Sequence, residues 1–217
     1  MRLISPARST LVLVVTAVVF ASGCAQSREV QLNPPAAPLG VANVGAGRSI
    51  TIARPLDARP NAGAIGAWFG DMGQVVAAAR PRNDPAVWIA DAFVSGLENA
   101  GYRVYRSETA EQTVTPVVLV ITVNEAYTKF YLSGWSTFSG QARVVVQIEA
   151  FRGGSRILKR SYSGASSKDY ALSEARNPTF ATGPSADQYK QSLQDAMQNM
   201  LEKAISNLAS ALAEKGA

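Results

Sequence analysis

Three consecutive stretches in the second half of the chain most constrain how it can fold. They read "TPVVLVITVNEAYTKFY", "GQARVVVQIEAF" and "SRILKRSYSG", and a pair of glycines at 153 and 154 separates the last two. Runs of β-branched residues bounded by turn residues are typical of strands, so these stretches predict an antiparallel meander. In the middle stretch, apolar residues alternate with Arg143, Gln147 and Glu149. That alternation predicts a sheet covered on one face only.

Two helices are predicted to cover this face. The first begins with Asp84 as N-cap and Pro85 in the first turn, and it ends before Gly101. The second opens with a capping box of Ser185 and Gln188 and continues for about 25 residues. Its apolar stripe includes Met197, Met200 and Leu201.

The first half of the domain predicts shorter strands. "RSITIAR" at 48–54 predicts a first strand, and the glycine-containing region 61–81 predicts a small hairpin that turns near "GDMG". "YRVYR", after the first helix, predicts a strand parallel to the first one and reached by a right-handed crossover. The predicted fold class is therefore α+β: a two-layer sandwich with a mixed, mostly antiparallel sheet and two main helices packed on one face.

The start of the chain predicts an export signal in residues 1–23. Arg2 and Arg8 precede an apolar run from Leu11 to Ala21, which is the order of the charged and hydrophobic regions of a signal peptide. As a helix, about eleven residues would rise ~17 Å, well short of the ~30 Å hydrocarbon core of a bilayer. A stable membrane-spanning helix is therefore not expected here.

Cys24 is the only cysteine of the chain, and the segment "FASGC" that ends on it resembles the lipobox of bacterial lipoproteins. In such proteins the thiol carries diacylglycerol and the new amino terminus is acylated. Several acyl chains anchor a protein stably, whereas one chain binds only marginally. Cys24 is thus the predicted lipid-attachment residue. The alternative is an ordinary secretory signal in which this cysteine is incidental.

The remaining chain divides into a tether and one domain. Residues 24–47 contain "NPPAAPLG" and few large apolar side chains, which predicts a lipidated cysteine followed by a flexible tether. As a coil, about 23 residues would span an r.m.s. distance of roughly 26 Å. Residues 48–217 predict a single periplasmic α+β domain, which the flexible segment tethers to the bilayer without embedding it there.

Several kinds of catalytic chemistry are excluded by composition. The chain has no histidine, and its one cysteine is assigned to lipid, which excludes Ser-His-Asp triads, Cys-His dyads and zinc sites built from His or Cys. Asp57, Glu125 and Glu149 could form a glycosidase-like pair only if the fold brought two of them together, and exposed strand acids are the ordinary interpretation. We expect no catalytic residue, no metal and no cofactor, and hence not an enzyme.

The charge of the predicted mature chain is mild. Removing residues 1–23 removes two of the 21 Lys and Arg residues and none of the 16 Asp and Glu residues, which leaves a net charge of +3. Nucleic acid is therefore not an expected partner. A weak attraction to anionic lipid or lipopolysaccharide head groups is compatible with this charge.

Five aromatic side chains fall within twelve residues around the loop between the first two strands of the meander. They are Tyr127, Phe130, Tyr131, Trp135 and Phe138. Loops are normally exposed, and aromatic side chains are enriched where proteins meet partners, so these residues are candidates for partner contact. The alternative is that two or three of them fold back and cap the end of the core.

The order of motifs along the chain resembles the YajG-like family of proteobacterial lipoproteins. The resemblance rests on the lipobox cysteine, "VQLNPP", "DARP", "GLENAGYRV", "TPVVLVITV", "VVVQIEAF" and the amphipathic C-terminal helix. It implies a Gram-negative envelope lipoprotein at the outer membrane, because Ala25 rather than Asp follows the lipidated residue. It implies no established activity and no catalytic residues.

The sequence predicts a lipid-anchored envelope lipoprotein with a non-catalytic domain that binds or helps to assemble another envelope component. Its expected contacts are the membrane, through the N-terminal lipid, and an envelope protein or lipid. The contact surface would include the aromatic loop and the outer sheet face, which bears Val118, Val120 and Val145. The alternative is an accessory lipoprotein of a lipid or lipopolysaccharide transport system. It would hold an acyl chain between helix and sheet in a pocket lined by Met197, Met200 and Leu201.

Overall fold

The computed structural model describes residues 26–33, 43–110, 115–134, 137–171 and 183–216. They form an α+β fold with one mixed sheet and two helices, as the sequence predicts. The strands are β1 (Gln26–Val30), β2 (Ser49–Ala53), β3 (Leu56–Asp57), β4 (Gly66–Phe69), β5 (Val75–Pro81), β6 (Arg103–Ser107), β7 (Val117–Leu132), β8 (Thr137–Arg152) and β9 (Ser155–Ala171). The helices are α1 (Pro85–Asn99) and α2 (Ala186–Glu214).

Strand β7 organises the sheet. One of its edges pairs in antiparallel fashion with β8, and β8 pairs in the same way with β9, so the predicted meander is confirmed. Along its other edge, β2, β3 and β4 pair one after another, each parallel to β7. The predicted parallel pair is β2 with β6, and the predicted hairpin is β4 with β5. β1 completes the sheet beside β5.

Both helices begin as predicted and pack on one face of the sheet. The Asp84 side chain accepts a hydrogen bond from the backbone N–H of Ala86, and Ser185 and Gln188 form the capping box of α2. The inward residues of β8 are all buried under the helices: Ala142, Val144, Val146, Ile148 and Ala150. Within the described residues, neither helix combines the length and apolarity needed to cross a bilayer.

The backbone of α2 lies directly against β9 at Gly164. A Cβ atom at this position would lie 2.1 Å from the carbonyl oxygen of Ala196 and 2.6 Å from the backbone nitrogen of Met200. No side chain fits in that space, so glycine allows the helix to approach the sheet this closely. Met197, Met200 and Leu201 are fully buried beside this contact.

The predicted tether is wrong for the part of it that the structure describes. Gln26–Val30 is a strand parallel to β5, with Gln26 opposite Ala77 and Val30 opposite Pro81. Val30 and Leu32 are buried in the core, and the backbone N–H of Leu32 donates to the side chain of Asn83. The sheet therefore includes Gln26–Val30, which precedes the predicted domain boundary at Arg48. Cys24 lies outside the described residues.

Candidate binding surface

The two-residue period of β7 divides the predicted aromatic cluster between the two faces of the sheet. Phe130 lies on the helix-covered face and is fully buried, as is Phe138 at the start of β8. Tyr127 and Tyr131 point to the opposite face and are half-buried. Trp135 lies outside the described residues. Of the four residues of this predicted cluster that the structure describes, two therefore lie on a surface, Tyr127 and Tyr131.

Phe130 and Phe138 belong to a cluster of rings at one end of the core. The Phe138 ring stacks on Tyr170 with 5.2 Å between centroids and on Trp68 with 5.9 Å. The Phe130 ring meets Tyr189 of α2 edge to face at 4.7 Å. Gly140, opposite Phe130 on β8, leaves the space that this ring occupies, since a Cβ atom there would lie 2.3 Å from it. The prediction of a partner-contact role is wrong for Phe130 and Phe138, which cap the core.

Tyr127 and Tyr131 lie on the face of the sheet opposite the helices, which we call the open face. Across β7 and β8, Tyr127 pairs with Arg143, and Lys129 with Gln141. The side-chain amide of Gln141 donates a hydrogen bond of 2.7 Å to the hydroxyl of Tyr131. These side chains are exposed or half-buried because both helices pack on the other face. Of the predicted outer-face valines, Val120 and Val145 are half-buried and Val118 is buried.

Two shallow depressions flank Tyr127 on the open face, and both are lined by Glu125, Tyr127 and Lys129. One, of about 460 Å³, lies between β7, β8 and β9 and includes Arg143. The other, of about 400 Å³, lies between β7 and the segment that follows β3, and it includes Arg59. The hydroxyl of Tyr127 can donate a hydrogen bond, and burial raises its pKa above the ordinary value. The surface therefore offers a half-buried aromatic ring beside Lys129 and beside the ion pair of Glu125 and Arg143.

A buried arginine fixes the rim of the second depression. The Arg59 guanidinium donates two hydrogen bonds to the Asp57 carboxylate, at 2.9 and 2.8 Å, and further bonds to the carbonyl oxygens of Ala62 and Ala64. The hydrogen bond from the Arg59 side chain holds the pKa of Asp57 below its ordinary value, against the opposing effect of burial. This bidentate pair ties the loop between β3 and β4 to the end of β3.

Each of the three acids considered for catalysis pairs with a cation. Asp57 pairs with Arg59, Glu125 lies 3.5 Å from Arg143, and Glu149 pairs with two cations, Arg156 at 2.9 Å and Lys159 at 3.3 Å. The pKa of Asp57 is lowered, and that of Glu149 is lowered too, which is the opposite of what a general acid needs. Within the described ranges, no cluster of three or more His, Cys, Asp or Glu side chains could hold a metal ion.

Two further cavities lie away from the predicted acyl-chain pocket. One of about 480 Å³ lies between α1 and the carboxyl ends of β2 and β6, where Arg54 faces Glu108 at 3.7 Å. Another of about 460 Å³ lies on the polar side of α2. Met197, Met200 and Leu201 line none of these cavities, and they are fully buried. The helix–sheet interface is therefore filled where the predicted acyl-chain pocket would lie.

No protein-family model matches the sequence, and no curated protein matches it. Among solved structures, the chain is similar to protein XCC0632 from Xanthomonas campestris, which is described as a member of the family DUF330. The TM-score is 0.55 at 12% identity, over 88% of this chain and 97% of that chain. At this identity the similarity shows a shared fold alone.

Two further structures are similar at lower TM-scores. Lipoprotein GNA1162 from Neisseria meningitidis matches with a TM-score of 0.38 at 15% identity, over 56% of this chain and 84% of that chain. A PelC dodecamer from Paraburkholderia phytofirmans matches with 0.43 at 13% identity, over 75% of this chain and 90% of that chain. The resemblance to the YajG-like family stays a prediction.

Proposed function

We propose that this protein is an envelope lipoprotein, anchored through Cys24, whose domain binds another envelope protein through the open face around Tyr127 and Tyr131. The observation that carries the binding role is the uncovered sheet face, where aromatic rings stand among Lys129, Gln141 and Arg143. Tyrosine and arginine are enriched at protein–protein interfaces. The proposal places the anchor in the outer membrane, because Ala25 follows the lipidated cysteine.

The chemistry of the open face favours a protein partner over a stored lipid. Its depressions are open to solvent, and Glu125 and Lys129 line both, whereas pockets that hold acyl chains are enclosed and free of such charges. The filled contact between α2 and the sheet leaves no space for a chain beside Met200. These features favour a protein partner over the role of a lipid-transport accessory that holds an acyl chain between α2 and the sheet.

The anchor is tested by mass spectrometry of the protein purified from its own membranes. The proposal expects a mature chain that begins at Cys24 and carries acyl groups on that residue. The Cys24→Ser variant should leave the membrane fraction and appear in the soluble fraction. A mature chain with a free thiol at Cys24, or one that starts elsewhere, would contradict the anchor.

The binding surface is tested by photocrosslinking in intact cells. A benzophenone amino acid at position 127 should capture one defined envelope protein, identified by mass spectrometry. The matched control is position 195 on the exposed side of α2, where Asp195 faces solvent. Arg143→Ala should weaken capture from position 127 without changing the melting temperature. Equal capture from positions 127 and 195 would contradict the proposed surface.

A further inference from the structure

The chain enters the sheet at the end that bears the β4–β5 turn. Gln26, Ala77, Trp68 and Phe130 lie side by side on four neighbouring strands. Because β1 runs parallel to β5, the start of β1 lies at the same end of the sheet as Val75, the first residue of β5. β4 runs parallel to β7, so the β4–β5 turn and the end of β7 also lie at this end.

Three large apolar side chains are exposed at this same end. Met72 in the β4–β5 turn is 89% exposed, Val75 is 50% exposed and Leu132 at the end of β7 is 38% exposed. β5 and β7 are separated only by β4, so Val75 and Leu132 lie roughly 10 Å apart. We call Met72, Val75 and Leu132 the apolar rim. Asp71 is the only charged residue in the segments 69–75 and 132–134 that carry it.

The short distance along the chain from Cys24 to the sheet limits which part of the domain can face the membrane. Cys24 precedes Gln26 by two residues, which span at most about 7 Å. A tether of about 23 residues would have reached roughly 26 Å and left the orientation of the domain open. With the strand starting at Gln26, acyl chains on Cys24 must enter the bilayer beside the end of the sheet that carries the apolar rim.

We propose that the apolar rim contacts the bilayer in which Cys24 is anchored, so that the sheet end at Met72 and Leu132 faces the lipid. This inference rests on the proposed lipid anchor at Cys24. Exposed apolar side chains with few charges around them suit the boundary between head groups and acyl chains. The rim adds apolar contact to the anchor and gives the domain one orientation at the membrane. In this orientation the open face of the sheet does not lie against the bilayer, and a partner can reach it from the side.

The experiment measures lipid contact at single positions of the mature chain. The chain is coupled through Cys24 to a maleimide lipid in vesicles of phosphatidylethanolamine and phosphatidylglycerol, and carries a benzophenone amino acid at position 72 or 132. The matched control is position 105 on β6, where Tyr105 is also exposed but lies far along β7 from the rim. Irradiation followed by mass spectrometry counts the lipid adducts.

The proposal expects several-fold more lipid adduct at positions 72 and 132 than at position 105. Equal adduct at all three positions, or more at 105, would overturn it. Circular dichroism of each labelled chain checks that the domain is folded, and position 72 is the safest because Met72 is almost fully exposed. The natural state of Cys24 separates the two proposals. A free thiol in the native protein overturns the anchor and this inference together, whereas an acylated Cys24 with equal adducts overturns the lipid contact alone.

Discussion

The two faces of the meander are built from the same strands and have opposite properties. On β7, Phe130 is fully buried against Tyr189, whereas Tyr131, the next residue, lies on the open face and bonds to Gln141. The inner face is packed against helix backbone at Gly164, while the open face carries paired charges and shallow depressions. The difference shows that aromatic content alone does not identify a binding surface. The face to which each ring points decides its role.

The largest expected effect comes from polar substitution of an inner-face ring. Phe138→Ser removes a ring that stacks on Trp68 and Tyr170 and leaves a cavity with a hydroxyl in it, so the free energy of unfolding should fall by about 3–5 kcal/mol. Tyr131→Ser on the open face should cost less than about 1 kcal/mol. Urea unfolding of both variants measures the difference. Equal losses would remove the distinction between the two faces.

A smaller loss is expected where α2 touches β9. Gly164→Ala places a methyl group against the carbonyl oxygen of Ala196, which should destabilise the fold by about 1–3 kcal/mol. The matched control is Ser163→Ala, the adjacent residue on the other face, with a change within about 0.5 kcal/mol. Thermal unfolding of both variants provides the comparison. An unchanged melting temperature for Gly164→Ala would mean that the helix can move away without cost.

Two buried hydroxyls on the inner side should be dispensable. The hydroxyls of Tyr189 and Thr128 are buried without a hydrogen-bond partner among the described residues. Tyr189→Phe and Thr128→Val should therefore each leave stability unchanged or raise it by up to about 1 kcal/mol. A clear loss of stability in denaturant titration would show that a hydroxyl has a partner after all.

The Tyr189→Phe and Thr128→Val variants also test how the free energy of unfolding depends on pH. Burial raises the pKa of Tyr189 above its ordinary value, so the unfolded chain loses this proton at lower pH than the folded chain. The contribution of neutral Tyr189 to the free energy of unfolding is complete below about pH 10. It is lost as pH rises from there towards the raised pKa, with a slope of up to about 1.4 kcal/mol per pH unit. Tyr189→Phe should reduce this loss of stability at alkaline pH. Thr128→Val removes a hydroxyl that does not titrate and should leave the loss unchanged.

The smallest effect is expected for the charges of the open face. Burial acts to raise the pKa of Glu149, but hydrogen bonds and charges from Lys159 and Arg156 outweigh it and hold this pKa below its ordinary value. Its contribution to stability is present above the pKa of the unfolded chain and is lost as pH falls. Glu149→Gln should cost less than about 1 kcal/mol at neutral pH and slightly flatten the acid limb of the stability curve. A cost as large as that of Phe138→Ser would contradict the comparison.

The regular part of the fold could be predicted because its signals are local. The alternation in β8, the glycine pair at 153 and 154 and the two N-caps each act within a few residues, and the meander and both helices follow from them. β1 could not be predicted in this way. "QSREV" has one large apolar residue, and its pairing with β5 joins segments about fifty residues apart. Only the assembled sheet stabilises it.

The candidate surface was predictable in part. Strict alternation along β7 places Tyr127, Lys129 and Tyr131 on one face and Phe130 on the other, and this signal was available in the sequence. The ion pair between the buried Arg59 and the exposed Asp57 was not, because it depends on the path of an irregular loop, which brings the carbonyl oxygens of Ala62 and Ala64 to Arg59. Local sequence patterns specify on which face of a strand a residue lies, but they do not specify the path of an irregular loop.

The place of β1 at the start of the domain also has a mechanical consequence. A pull on the proposed anchor along the direction of β1 would load the hydrogen bonds between β1 and β5 in shear, so that they break together rather than one after another. Val30 and Leu32, at the end of β1 and just after it, are buried in the core, and pulling β1 out of the sheet would expose both side chains to water. With the proposed anchor at Cys24, β1 would transmit a force on the lipid to β5 through these hydrogen bonds.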